Sequence, residues 1–360
     1  TLNFILWFVL NQIYVLWKKM VKNWKQASIK NIARLAGVGT ASVDRVLNNR
    51  KGVSTNTKTK VLKAYDEIFS NKHDIPLRKI VVCCESGSSF NNTLKKNIEN
   101  FLNTRKINII LEPYYISAKN FKTTIFEKII YDKIKDSDGL IIVSQEDSKI
   151  ERAIQRYVES KKPVIALTTD LPNSNRTAYV GCDQSAAGAT AAKLISDSSD
   201  SKKGKILMVM SMPYRCQQER ELGFKKILRS NFPELTIKES IYSLDTSEES
   251  YKHVKQYIKN NGPPIGIYSI AGGNLGVAEA VKDAGYKNQI IFVGHELNKN
   301  SKQLLDTEEM SYVIGHDVNL EVEKSFSIIE DYYNGTPINN FQTNTFIYTK
   351  HNCIDYELIF

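Results

Sequence analysis

The sequence predicts an all-α helix-turn-helix module followed by a two-lobed α/β domain. Three observations carry this: a basic charge confined to one end, a glycine turn between two short amphipathic patterns, and a long alternation of apolar runs with helical patterns. At 360 residues the chain has room for two or three folding units. Its 42% hydrophobic and 24% charged residues exclude a disordered tail. The net charge of +10 is uneven: residues 1–79 hold 15 Lys/Arg against 4 Asp/Glu, or +11, and residues 80–360 hold 34 against 35, or −1. A short cationic module on a near-neutral domain points to a polyanionic partner, nucleic acid first and a membrane surface second. Five cysteines (Cys83, Cys84, Cys182, Cys216 and Cys353) show no C-x-x-C spacing and lie mostly in apolar runs, which favours buried free thiols in a reducing cytoplasm.

Residues 2–17 are apolar except for Asn3, Asn11 and Gln12. They fall short of the ~20 apolar residues of a membrane span, and they lack the leading charge and small-residue cleavage site of a secretory signal. Residues 1–19 therefore read as sequence upstream of a natural start at Met20. The competing reading is a signal anchor, held by Lys18, Lys19, Lys22 and Lys25.

The helical module is expected over residues 20–70. After Ser28, a good N-cap, Ile29, Ile32, Ala33 and Ala36 recur at i, i+3, i+4 and i+7. Gly37-Val38-Gly39 breaks that helix. A second begins at Thr40 with Val43, Val46 and Leu47 inward, which turns Thr40, Ala41, Asp44, Arg45 and Asn48 outward. Gly52 ends the pair, and a third helix of about 13 residues is expected to bury Val61, Leu62, Tyr65, Ile68 and Phe69. In a helix-turn-helix the second helix enters the major groove of DNA.

These residues also resemble a family. SIKNIARLAGVGTASVDRVLNNRKGVSTNTKTKVLKAYDEI (residues 28–68) is similar to the DNA-binding domain of the lac repressor family of transcriptional regulators. The resemblance implies base-edge reading by Thr40, Ala41 and Arg45, and a candidate DNA-contacting set of Ser28, Thr40, Ala41, Ser42, Asp44, Arg45 and Asn48. Arg45 suits a bidentate contact to guanine. Two positions depart from the family: Gly39 stands where a capping serine is usual, and Asp44 where another serine is usual. Asp44 is expected to orient Arg45, while Lys30, Arg34, Arg50, Lys51, Lys58 and Lys60 are candidate phosphate contacts. The family's linker helix is degraded in the short hinge, residues 71–79. Pro76 is present without the following alanine and leucine, and Leu77 is the nearest substitute for the minor-groove wedge.

Residues 80–360 carry nine apolar runs: IVVCC, INIILE, GLIIVS, PVIALTT, AYVGC, KILMVM, PIGIYS, QIIFVG and MSYVIG. With helical patterns between them they predict parallel sheets covered on both faces, in two lobes with a ligand cleft at the C-terminal strand ends. The domain is similar to the same family's effector domain, a periplasmic-binding-protein-like (type I) fold. VGCDQSAAGATAAKLI (180–195) looks like its lobe-crossing motif, QERELGF (218–224) its arginine-x-x-glycine motif and FVGHEL (292–297) its glycine-aromatic-aspartate segment.

The resemblance implies that Arg220 and Glu296 bond sugar hydroxyls, with Phe90, Asp183, Asn274 and His316 as further ligand candidates. Each has a plainer reading. Arg220 could pair with Glu219 or Glu221, Asp183 and Asn274 could cap helices, and Phe90, expected in the loop after the first strand, could be core. Ring stacking on a sugar would fall to Phe90, Tyr179 or Tyr214, because all three tryptophans precede residue 25. His295-Glu296 and His316-Asp317 supply donors that suit either a polyol or a metal, and the polyol is the expectation.

No G-x-S-x-G elbow, G-x-x-x-x-G-K-[ST] loop or H-E-x-x-H helix is present, so neither an enzyme nor a cofactor is expected. The resulting expectation is a cytoplasmic, homodimeric regulator whose operator DNA affinity is controlled by a small sugar or polyol. The alternative is a membrane-anchored sugar-binding protein without DNA-binding function.

Overall fold

The structure, a computed structural model, describes residues 29–47, 50, 52–70, 77–105 and 108–353. The expectations for residues 1–19, Ser28, Asn48 and the hinge up to Pro76 lie outside the described residues. The chain divides into two compact units, Thr1–Pro76 and Leu77–Phe360.

In the first unit, α1 (29–36) ends in a Schellman motif. Gly37 takes φ +65°, while Val38 N–H donates to Ala33 O at 3.0 Å and Gly37 N–H to Arg34 O at 3.4 Å. Gly39 O accepts the first bonds of α2 (Thr40–Leu47). Ser54 caps α3 (Thr55–Ser70), its Oγ accepting from Thr57 N–H at 3.2 Å. The core is small: Ile32, Ala33, Val43, Val46, Val61 and Ala64. Three residues expected inside are exposed instead, namely Leu47, Leu62 and Tyr65. Each lies one position beyond a buried residue, Val46, Val61 or Ala64, hence about 100° farther round its helix. A three-helix unit buries only one narrow stripe per helix, and the small Ala64 fills the place expected for Tyr65.

The second unit contains two six-stranded sheets. The first lobe holds β1 (Arg78–Ser86), β2 (Ile109–Ser117), β3 (Gly139–Val143), β4 (Val164–Leu167) and β5 (Ala178–Cys182), with α4 (Ser88–Arg105), α5 (Thr123–Lys133) and α6 (Ser148–Glu159). The second holds β6 (Gly204–Met210), β7 (Leu235–Tyr242), β8 (Gly266–Ser269), β9 (Ile291–His295) and β10 (Tyr312–His316), with α7 (Gln184–Ser198), α8 (Arg215–Asn231), α9 (Ser247–Asn261), α10 (Asn274–Asp283) and α11 (Lys299–Asp306). Then α12 (Val318–Tyr333) returns to the first lobe, where β11 (Phe341–Thr343) joins β5, and β12 (Thr345–Tyr348) joins β10. The chain therefore crosses between lobes three times. The sheet orders are β11-β5-β4-β3-β1-β2 and β12-β10-β9-β8-β6-β7, parallel except for the antiparallel β12.

Parallel strands buried on both faces explain the unbroken apolar runs. Along β1, Ile80, Val82 and Cys84 enter one core with α4 and α12, while Val81 and Cys83 enter the other. Three strands had no apolar run to announce them. β7 is a mixed edge strand, LTIKESIY, and β11 and β12 are only 3 and 4 residues long. Helices α7 and α8 approach so closely that a Cβ on Gly188 would stand 1.9 Å from Arg220 O, and one on Gly223 2.0 Å from Ser185 O. All five cysteines are free, and four are buried.

Candidate functional site

In the first unit, Gly37 turns the chain so that α2 presents its first turn outward. Thr40, Ala41 and Arg45 are exposed, and Ser42 and Asp44 are half-buried. Among the described residues Asp44 pairs with Arg50 rather than with Arg45: its Oδ2 accepts from Arg50 Nη1 at 3.0 Å, which ties the chain beyond the helix back onto it. Lys30, Arg34, Arg50, Lys58 and Lys60 are exposed around this face, a set suited to phosphate contact. Gly39 has no side chain with which to cap α2, and its carbonyl oxygen accepts from Ser42 N–H at 3.0 Å and Val43 N–H at 3.3 Å.

In the second unit a cavity of about 120 Å³ lies between the lobes, at the C-terminal ends of the parallel strands. The first lobe supplies Glu85 at the end of β1, Phe90 in the first turn of α4, and Thr168 and Thr169 after β4. The second supplies Tyr214, Gln217 and Arg220 around the start of α8, Asp245 after β7, Gly272 and Gly273 before α10, and Glu296 after β9. Non-glycine residues with left-handed backbone cluster here: Thr168 (φ 62°), Asp245 (φ 57°) and Glu296 (φ 66°).

Polar groups are dense in the cavity wall. Arg220 is buried, its Nε donating to Gln184 Oε1 at 2.7 Å and Nη1 to Ile270 O at 3.1 Å. It does not pair with its neighbours on α8, since Glu219 holds Arg215 and Glu221 holds Lys225. Glu85 accepts from Ser144 Oγ (3.1 Å), Gln145 N–H (3.2 Å), Gln145 Nε2 (3.2 Å) and, from the opposite lobe, Tyr214 OH (3.1 Å). Burial outweighs these donors and pushes the Glu85 carboxyl up to about 7. Burial likewise raises the Asp245 and Glu296 carboxyls. Two further bonds cross the cleft, Cys216 N–H to Thr169 Oγ1 at 3.2 Å and Arg215 Nη1 to Glu146 Oε1 at 3.3 Å.

Behind the cavity, Glu321 of α12 joins the crossing segments. Its carboxylate accepts from Thr168 Oγ1 (3.1 Å) and Thr343 Oγ1 (2.7 Å) and meets His316 Nδ1 at 2.7 Å. Burial alone would lower the His316 pKa, but the Glu321 carboxylate raises it overall. His295 is bonded to Tyr268 OH at 2.8 Å, and burial drives its pKa far down. Among the described residues no cluster of three or more His, Cys, Asp or Glu could hold a metal.

Of the six ligand candidates, Phe90, Arg220 and Glu296 line the cavity. Phe90 lies on α4 rather than in a loop, and it is buried against the first-lobe core as well. His316 faces an adjoining cavity of about 20 Å³ that it shares with Phe90 and Glu296. Asp183 is exposed and caps α7, accepting from Ala186 N–H at 2.8 Å, so its position is the helix-cap one. Asn274 neither caps α10, where Gly273 holds the cap position, nor reaches the cavity; it packs behind β9 against Gly294. Of the stacking candidates, Tyr214 joins Phe90 at the cavity, while Tyr179 bonds Thr168 O and Cys182 O. Sequence reasoning missed Glu85 and Asp245. Glu85 was signalled by a carboxylate closing an apolar parallel strand, but Asp245 follows β7, an edge strand with no apolar run.

Comparison with known proteins covers both units. Residues 80–337 match the family model described as periplasmic binding protein domain, and residues 28–68 match that of bacterial regulatory proteins, lacI family. The fructose import binding protein FruE of Bifidobacterium longum is 21% identical over 255 residues, covering 69% of this chain and 77% of that protein. The HTH-type transcriptional repressor PurR of Vibrio campbellii is 50% identical over 42 residues, which are 12% of this chain and 13% of the repressor. The crystal structure of a Burkholderia graminis solute-binding protein in complex with D-arabinose superposes with a TM-score of 0.72 at 18% identity, covering 78% of this chain and 97% of that one. At that identity the likeness establishes the fold.

Proposed function

This chain belongs to the lacI family of bacterial regulatory proteins, its helix-turn-helix joined to a periplasmic-binding-protein domain, and we propose that it is a transcriptional regulator whose operator affinity is set by a small sugar or polyol in the interlobe cavity. The observation that carries this reading is one chain holding both an exposed recognition helix and a polar cavity lined from two lobes. Thr40, Ala41 and Arg45 read base edges, and the surrounding lysines and arginines hold phosphates. At 10–15 Å³ per water the cavity has room for roughly ten waters, the scale of one sugar ring. Arg220 donates to ligand hydroxyls and Glu296 accepts from them.

A ligand bound to both lobes adds to the hydrogen bonds that already join them, favours this lobe arrangement, and so shifts the DNA-bound population. The protein acts as a homodimer, because one module reads a half-site and two read a near-palindrome. It works in the cytoplasm, where its DNA is, and its role is regulatory rather than enzymatic. Among the described residues no helix is long and apolar enough to cross a membrane.

The test measures binding of the full chain to DNA selected from a random pool, with and without a sugar panel. Arg45→Ala is expected to cost about 1–3 kcal/mol of binding and to relax preference at one base position. A chain that selects no sequence, or a variant with undiminished preference, sinks the DNA assignment.

A further inference from the structure

Three carboxylates line the cavity, Glu85, Asp245 and Glu296, against one cation, Arg220. Among the described residues no ion pair neutralises any of the three. The Arg220 guanidinium is instead held by two neutral acceptors, Gln184 Oε1 and Ile270 O. The Glu85 charge is met only by neutral donors, and Asp245 Oδ1 accepts from Gly272 N–H at 2.8 Å. The Glu296 carboxylate has no hydrogen-bond partner among the described residues, although its backbone is pinned by Ile314 O and Ser301 Oγ. The nearest other titratable pair, His316 with Glu321, balances itself.

The cleft therefore carries an excess of negative charge inside a cavity that a ligand would seal from water. A neutral sugar closing over it would strip water from these carboxylates and supply no countercharge. An ammonium group supplies both the charge and three donors.

We propose that the effector is an amino sugar or amino polyol, bound with its protonated amine against Glu296 and Asp245 while Arg220 takes its hydroxyls. This rests on the reading of the cavity as the effector site. Burial raises all three carboxyls, and for Asp245 and Glu296 it outweighs the opposing pull of the Arg220 guanidinium.

Calorimetric titration of the full chain at pH 7 compares D-glucosamine, D-galactosamine and D-glucamine with their neutral parents D-glucose, D-galactose and D-sorbitol. At least one amine should bind about tenfold or more tighter than its parent. Glu296→Gln should erase that preference by weakening the amine far more than its neutral parent, and Asp245→Asn serves the same purpose if the first variant is unfolded by circular dichroism. Neutral parents binding as well as the amines would overturn the proposal and leave the effector site standing. Binding by no member of the panel, neutral or amino, would overturn both.

Discussion

The recognition helix and the interlobe cavity are opposites in how they hold charge. Around α2 the exposed charged groups are mostly cations, Lys30, Arg34, Arg45, Arg50, Lys58 and Lys60, and the one carboxylate on the helix, Asp44, is already spoken for by Arg50. In the cavity the charged groups are largely buried, carboxylates predominate, and none is ion-paired among the described residues. An exposed cation costs little to keep unpaired, because water screens it. A buried carboxylate costs much more, which is why burial raises the Glu85, Asp245 and Glu296 carboxyls. The contrast matches the two partners: a long polyanion read from outside, and a small molecule enclosed.

The two regions should accordingly fail in different ways, and the largest effect belongs to the enclosed one. Gly188→Ala drives a Cβ to 1.9 Å from Arg220 O and forces α7 from α8. The expected loss is about 3 kcal/mol in urea denaturation, together with loss of ligand-induced stabilisation because Arg220 moves. An unchanged midpoint would mean that the cavity wall is not built on this contact.

Next comes pH. The Glu85 carboxyl is held at about 7 in the folded protein against an ordinary 4.5, so folding binds a proton between those values. The destabilisation is absent below pH 4.5, grows as pH rises toward 7, and is complete above it. At 1.36 kcal/mol per pKa unit it reaches about 3 kcal/mol. Glu85→Gln should therefore raise the melting temperature above pH 7 and leave it nearly unchanged at pH 4. Equal shifts at both pH values would show that burial does not hold this charge under strain.

The smallest effect is on the exposed side. A side chain at Gly39 meets nothing within 4 Å, so Gly39→Ser fits and caps α2. It should stabilise the first unit by a few tenths of a kcal/mol and tighten binding to all DNA sequences alike, seen in filter binding against salt. A sequence-selective gain would assign the new hydroxyl to base reading instead.

Legibility from sequence followed the same divide. The outward placing of Thr40, Ala41 and Arg45 could be read directly, since a 3.6-residue period and one turn glycine decide which side of a short helix faces out. Even so, Leu47, Leu62 and Tyr65 were placed inside, because the period does not say how wide the buried stripe is. In the larger unit, nine core strands were legible as apolar runs, yet β7 was hidden by its alternation and took Asp245 with it. Arg220 was named from its motif, but its partners Gln184 and Ile270 stand 36 and 50 residues away along the chain.

The amino-acid sequence by itself determined the division of charge, the glycine turn between the first two helices and the doubly covered parallel sheets, because these follow from composition and local periodicity. Only the tertiary structure decided which strand ends meet. It placed Asp183 on the surface and Asn274 behind a strand, and it brought Glu85 opposite Tyr214 from across the cleft. A cavity wall is assembled from loops far apart in the chain, and the balance of its charges is a property of their convergence that no local pattern encodes.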